Sequence, residues 1–158
     1  MESFLEDLDQ FCGHLNKNQV HYLIVGGLAV NYHGFQRATG DIDIWYDPSV
    51  ENYEKLLKAI ELFGFETQDL EKQKHENIKQ VIILPLDHFT IELLSMIDGK
   101  FSFDAAYQLA ESMKVIDYKA KVINYDFLIQ NKLMSRRPKD MEDIRQLEIR
   151  KPRQSRKE

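Results

Sequence analysis

Two stretches decide how this chain is to be read: Val20-His21-Tyr22-Leu23-Ile24-Val25-Gly26-Gly27 and, thirteen residues further on, Asp41-Ile42-Asp43-Ile44-Trp45-Tyr46. The first is rich in branched and aromatic residues and ends at a glycine pair, the pattern of a strand that stops at a glycine turn. A short helix is expected from Leu28 to about His33, and residues 34–40, with two glycines and a threonine, read as a loop. The second stretch alternates polar with apolar, so it is a strand with Asp41 and Asp43 on one face. Glycine after a strand lets the backbone approach a ligand closely, and amides at the start of the next helix point toward anions, so Gly26-Gly27 offers a phosphate cradle; a bare turn has the same spelling. Two carboxylates side by side repel one another. A divalent cation would neutralise them, and Mg²⁺ is commonly held by one or two carboxylates together with substrate phosphates. A solvated strand face accounts for the spacing equally well.

Outward from this centre, helix and strand alternate. Phe4, Leu5, Leu8, Phe11, Cys12 and Leu15 recur at helical spacing over residues 3–17, and Tyr53, Leu56, Leu57, Ile60 and Phe63 do so before Gly64 stops a second helix. Residues 66–77 are charged and aperiodic and read mostly as loop. Residues 78–84 and 89–94 are β-prone runs joined by Pro85-Leu86-Asp87-His88, which suits a hairpin. Residues 104–113 read as helix, 115–118 and 122–123 as extended, and two helices close the chain at 125–134 and 138–149, the second with Pro138 at its start. The expected architecture is α+β: one domain over residues 1–149, built on a mixed β-sheet of about five strands flanked by helices, with a basic tail over 150–158.

Composition narrows the class. With 158 residues, 43% hydrophobic and 30% charged, the chain has the balance of a globular domain. Its single cysteine, Cys12, can form no internal disulfide and no cysteine-rich zinc site. No apolar run approaches the roughly 20 residues of a membrane helix, and the N-terminus shows no basic-then-apolar leader, so a cytoplasmic protein without a membrane partner is expected. The formal charge of −5 is unevenly spread: residues 132–158 hold 10 basic against 5 acidic side chains. The tail residues Arg150, Lys151, Arg153, Arg156 and Lys157 suit either RNA contact or a solvated terminus.

With Val25-Gly26-Gly27 and the framed doublet Asp41-Ile42-Asp43-Ile44 in place, the sequence resembles the nucleotidyltransferase superfamily with the polymerase-beta-like fold. The flank Gly34-Phe35-Gln36-Arg37-Ala38-Thr39-Gly40 is similar to that of small bacterial members related to antibiotic nucleotidyltransferases and abortive-infection toxins. The resemblance covers residues 20–95 and returns near Lys132 to Asp143. It implies that Gly26 and Gly27 hold an NTP triphosphate and that Asp41 and Asp43 bind metal, with a third acid on a later strand. Glu92, in Thr90-Ile91-Glu92-Leu93-Leu94, is the expected third acid if its strand neighbours the doublet; Asp87, in the presumed turn, is the alternative. Two Mg²⁺ ions and transfer of an NMP to a hydroxyl of a small molecule, RNA or protein are implied, with release of pyrophosphate. Arg37 is a candidate phosphate contact or a surface ion pair, and Lys132, among apolar residues, wants an anionic partner such as the triphosphate unless it snorkels to the surface. Asp140 and Asp143 suit a helix N-terminus; Arg137 or Lys139 could face the nucleotide. Trp45 is placed on the face of the doublet, flanking ligand or filling core, and His33 close behind the glycine pair. The alternative to an enzyme is a catalytically degenerate relative acting as a toxin–antitoxin component, in a homodimer or with another protein partner.

Overall fold

The computed structural model describes residues 2–73 and 79–151; residues 74–78 of the loop and strand read above, and the tail residues Arg153, Arg156 and Lys157, lie outside them. The order of elements is α1 (Glu2–Lys17), β1 (Tyr22–Val25), α2 (Gly26–Tyr32), β2 (Asp41–Tyr46), α3 (Val50–Phe63), α4 (Gln68–Glu71), β3 (Val81–Pro85), β4 (Thr90–Leu94), α5 (Phe103–Gln108), β5 (Glu111–Lys114), β6 (Lys119–Val122), α6 (Tyr125–Ser135) and α7 (Pro138–Arg150). The six strands form one mixed sheet in the order β3-β4-β2-β1-β6-β5. Among the described residues no helix is long and apolar enough to cross a membrane.

Alternation along the strands separates two faces. Tyr22, Ile24, Ile42, Ile44, Tyr46, Ile91 and Leu93 are buried on one side. There the Tyr22 hydroxyl donates to Asn16 of α1, and the Tyr46 ring lies 6.1 Å from Tyr53 of α3. The two helices meet through Phe11 and Phe63, edge to face at 5.0 Å. Helix α3 begins where Ser49 accepts from the Asn52 amide and ends where Gly64 turns left-handed at φ +119°, a conformation that side chains with a Cβ resist. The opposite face carries the acids.

The strand-then-turn reading of residues 20–46 holds, with β2 at the expected bounds. Two readings are refined. Residues 66–77 contain the single turn α4. The helix expected over 104–113 ends at Gln108, and Glu111–Lys114 instead pairs antiparallel with Lys119–Val122 as the sixth strand. The spacing of Ala106, Leu109, Ala110 and Met113 is helical, but the ladder to β6 offers these backbone groups partners, and tertiary pairing overrides the local pattern. The turn between β5 and β6 is held from a distance: the buried Asp9 of α1 accepts through Oδ1 from the amides of Ile116, Asp117 and Tyr118 at 3.0 Å each. Helix α7 runs on through Arg150, whose guanidinium lies over Phe35, while Lys151 lies over Tyr125.

Candidate active site

Pairing of β2 with β4 brings the acids together. The two strands are parallel neighbours in a register that sets Asp43 beside Glu92 and Asp41 beside Thr90, so side chains at these positions share one face of the sheet. On the other flank, β1 runs antiparallel to β2 with Val25 opposite Asp43. The chain must therefore turn beside the Asp43 carboxylate, and Gly26 does so at φ +63°. A Cβ on Gly26 would run into that carboxylate, and one on Gly27 would stand 2.8 Å from the Thr39 hydroxyl. Both glycines are required by close approach.

The three acids differ in state. Asp43 Oδ1 is buried and has no hydrogen-bond partner among the described residues, an arrangement that costs free energy unless a ligand supplies the missing contact. Glu92 shares a hydrogen bond with Asp43; that bond, then burial, then the charges of Asp43 and Asp41 push its pKa up to about 7. Asp41 is exposed, and its Oδ1 accepts from the Thr90 hydroxyl at 2.5 Å. Among the described residues no group of three or more His, Cys, Asp or Glu side chains is arranged to hold a metal ion. Asp87 is exposed in the β3–β4 turn.

Behind the acids lies a charge network centred on three buried side chains. Arg37 forks onto Asp143 with Nε at 2.8 Å from Oδ1 and Nη2 at 3.0 Å from Oδ2. Lys132 Nζ stands 2.8 Å from Asp143 Oδ2 and 3.1 Å from Asp140 Oδ1. Arg137 in turn holds Asp140 through Nε at 2.8 Å. Lys132, Asp140 and Asp143 are 3%, 1% and 1% exposed. Arg37 thus forms an ion pair, but with a buried partner on α7 in place of a surface one. Lys132 has the anionic partner that its apolar neighbours demand: the two aspartates. Asp140 also caps α7, accepting from the Arg137 amide, so the helix-terminus reading holds for it. Burial alone would raise its pKa, but hydrogen bonds from Arg137 and Lys132 outweigh burial and hold it below the ordinary carboxylate range.

A cleft of about 320 Å³ opens where the acids and this network meet. Gly26, Asp43, Lys132 and Arg137 form its polar wall, and Val81, Leu94, Met96 and Ile97 an apolar one. Lys79 and Asp98 line it as well; no motif drew attention to either, and only the β3–β4–β2 pairing brings them there. Two suspected residues are structural. Trp45 is 5% exposed, donates to the Ser95 carbonyl and packs edge-on against Phe101 and Phe103. The His33 ring meets the Ile123 carbonyl through Nε2 at 2.8 Å.

Residues 4–157 match a family described as nucleotidyl transferase of unknown function (DUF2204), and the chain belongs to that family. The mixed α+β architecture is compatible with a nucleotidyltransferase fold. No curated protein matches the sequence.

Proposed function

We propose that this member of the nucleotidyl transferase family DUF2204 transfers an NMP from an NTP to an acceptor hydroxyl, releasing pyrophosphate, with Mg²⁺ held by Asp43, Asp41 and Glu92. The observation that carries this reading is the Asp43 carboxylate. It is pressed against Gly26, bonded to Glu92 and left with a buried, unpartnered Oδ1. A hard cation takes oxygen ligands and retains water, so Asp43 with one or both acids on its face is a fitting donor set. Asp41, which accepts from the Thr90 hydroxyl, would have to leave that bond to join it. When bound, the cation supplies positive charge against the phosphate oxygens as the bond to pyrophosphate breaks.

The chain's own residues do the rest. The Gly26 turn leaves the backbone bare at the cleft, so phosphate can approach Val25 and Gly26 closely. The cleft's own lining carries Lys79, Lys132 and Arg137 against Asp43 and Asp98, one positive charge in excess before a cation binds. That excess favours a polyphosphate, and Arg137, whose side chain is 71% exposed, is the member with most reach into the cleft. The apolar wall at Val81, Leu94 and Met96 suits the base. Glu92, level with Asp43 on the neighbouring strand, is the carboxylate placed to take the acceptor's proton.

Thermal melts of wild type and Asp43→Asn, with each of four NTPs and with or without Mg²⁺, test this reading. A ligand at a hundredfold excess over Kd stabilises the folded state by about 2.7 kcal/mol. Wild type is expected to gain stability with Mg²⁺ and at least one NTP, and the variant to lose that gain while melting no lower than wild type without ligand. No shift with any NTP overturns the nucleotide reading.

A further inference from the structure

We infer that the acceptor occupies a second groove, on the other side of the glycine turn, and that it is an uncharged alcohol or phenol with an aromatic body; this rests on the nucleotide reading of the first cleft. The groove measures about 460 Å³ and is lined by Phe4, Leu28, Ala38, Thr39, His88 and Phe89, with Asn31 and Arg37 at its side. That volume falls in the range of small-molecule sites.

Its position carries the first half of the inference. Gly26 lines the cleft and Leu28, two residues on, lines the groove, so the turn that abuts Asp43 is the wall between them. Thr39 donates to the Asp41 carbonyl, and Phe89 directly precedes Thr90, whose hydroxyl holds the Asp41 carboxylate. The groove is thus built on the residues that enter β2 and β4, the two strands bearing Asp41 and Glu92. An acceptor seated there presents a hydroxyl at the exposed Asp41 edge of the acids, across the turn from the nucleotide. Its oxygen forms the new bond to the α-phosphorus, the bond from that phosphorus to the bridging oxygen breaks, pyrophosphate leaves with the electron pair, and the hydroxyl proton passes to Glu92.

The lining carries the second half. Phe4 and Phe89 lie with ring centroids 4.8 Å apart, and Leu28 and Ala38 extend the apolar surface. The single guanidinium at the groove gives no call for an anion, since Asp143 takes Arg37 in a fork and the Ala38 carbonyl takes its Nη1. Flat apolar rings beside an already neutralised cation suit an aromatic body. Of the polar side chains at the groove, Thr39 already donates to the Asp41 carbonyl and Asn31 Oδ1 already accepts from the Arg37 amide, so a sugar or polyol would find fewer partners than it has hydroxyls beside the phenyl rings.

The test uses the full chain and p-hydroxybenzyl alcohol as probe, with glycerol and glucose as polar comparators. Ligand-observed NMR without metal or nucleotide is expected to show the probe, and neither comparator, binding wild type. Ala38→Trp fills the groove from an exposed position and is expected to abolish that signal while leaving the NTP melting shift intact. With Mg²⁺ and the NTP that gives the shift, pyrophosphate release is expected to be about tenfold faster with the probe than with the polyols, the scale on which an apolar pocket discriminates. Ala38→Trp is expected to raise KM for the probe. Binding unaffected by Ala38→Trp, no binding at all, or equal use of the polyols overturns the acceptor assignment. Loss of the NTP shift in wild type with probe binding retained brings down the nucleotide reading and the acceptor role while leaving the groove a ligand site.

Discussion

Replacing Lys132 by Met tests whether the buried charge network holds the site together. In wild type the ammonium is 3% exposed and serves two carboxylates that are each 1% exposed. Removing one member of a buried ion pair costs about 3–5 kcal/mol, because the remaining charge is left desolvated. Here Asp143 retains Arg37 and Asp140 retains Arg137, so the loss belongs at the lower end, about 3 kcal/mol at pH 7. For a chain of this size that corresponds to a fall in Tm of about 6–12 °C. The acid side sharpens the test. Asp140 is held below its ordinary pKa of 3.8, in part by Lys132; a carboxyl depressed on folding contributes stability above its unfolded pKa and loses it as pH falls through its folded one. Lys132→Met removes one cause of the depression, so the Asp140 contribution is lost at higher pH than in wild type. Melts between pH 2 and 8 read both effects. A variant within about 2 °C of wild type at pH 7 would show that the two arginines suffice and that the lysine carries no structural charge.

Three further outcomes follow from single sites. Gly26→Ala forces a Cβ into the left-handed region, at a cost of about 1–2 kcal/mol, and against the Asp43 carboxylate; it is expected to lower Tm and abolish the Mg²⁺-NTP shift, whereas Gly40→Ala, with open space around it, leaves both unchanged. Asp9→Ala strands three amides and is expected to lose about 3 kcal/mol in urea unfolding, with Asp9→Asn retaining part of it through its carbonyl; equal losses would show that the amides find other partners. Glu92, raised from 4.5 to about 7, binds more proton folded than unfolded between those values, so stability falls as pH rises through them. Glu92→Gln is expected to flatten that fall in metal-free melts from pH 4 to 8, and an unchanged slope would exclude Glu92 as its source.

The centre of the fold is legible because it is local. Alternation alone puts Asp41 and Asp43 on one face, and it also puts Glu92 opposite Ile91 and Leu93; both placements depend only on the period of a strand. The union of the two faces is not local. That β4 lies parallel to β2, with Glu92 level with Asp43, follows from strand order, which no periodicity encodes; the family resemblance implied only a third acid on a later strand. The same limit hid the sixth strand, where a helical spacing of apolar residues gave way to a ladder with β6. The turn of Asp41 onto Thr90 is a matter of rotamer choice, beyond any pattern.

The charge network shows why the remainder was out of reach. Lys132 amid apolar residues announces a need for an anion, but it does not say which. Asp140 lies eight residues away across the α6–α7 turn, where Arg136 is left-handed at φ +55°, and local helix geometry gives that carboxylate a sufficient role as a cap. Arg37 and Asp143 are 106 residues apart, and each has a plausible local reading: a loop cation near phosphate and a helix-terminal acid. What joins them is desolvation. Once α6 and α7 pack together, Asp143 is sealed from water, and a sealed carboxylate must be met by cations; the nearest are Lys132 beside the cleft and Arg37 beside the groove. One buried acid therefore stands between the two cavities and holds a cation of each. A neutral residue at this position would free Arg37 from its fork and leave Lys132 with Asp140 alone, so Asp143→Asn is expected to weaken both the NTP melting shift and probe binding in the groove; loss of one signal with the other unchanged would show that the two cavities are not joined through this acid.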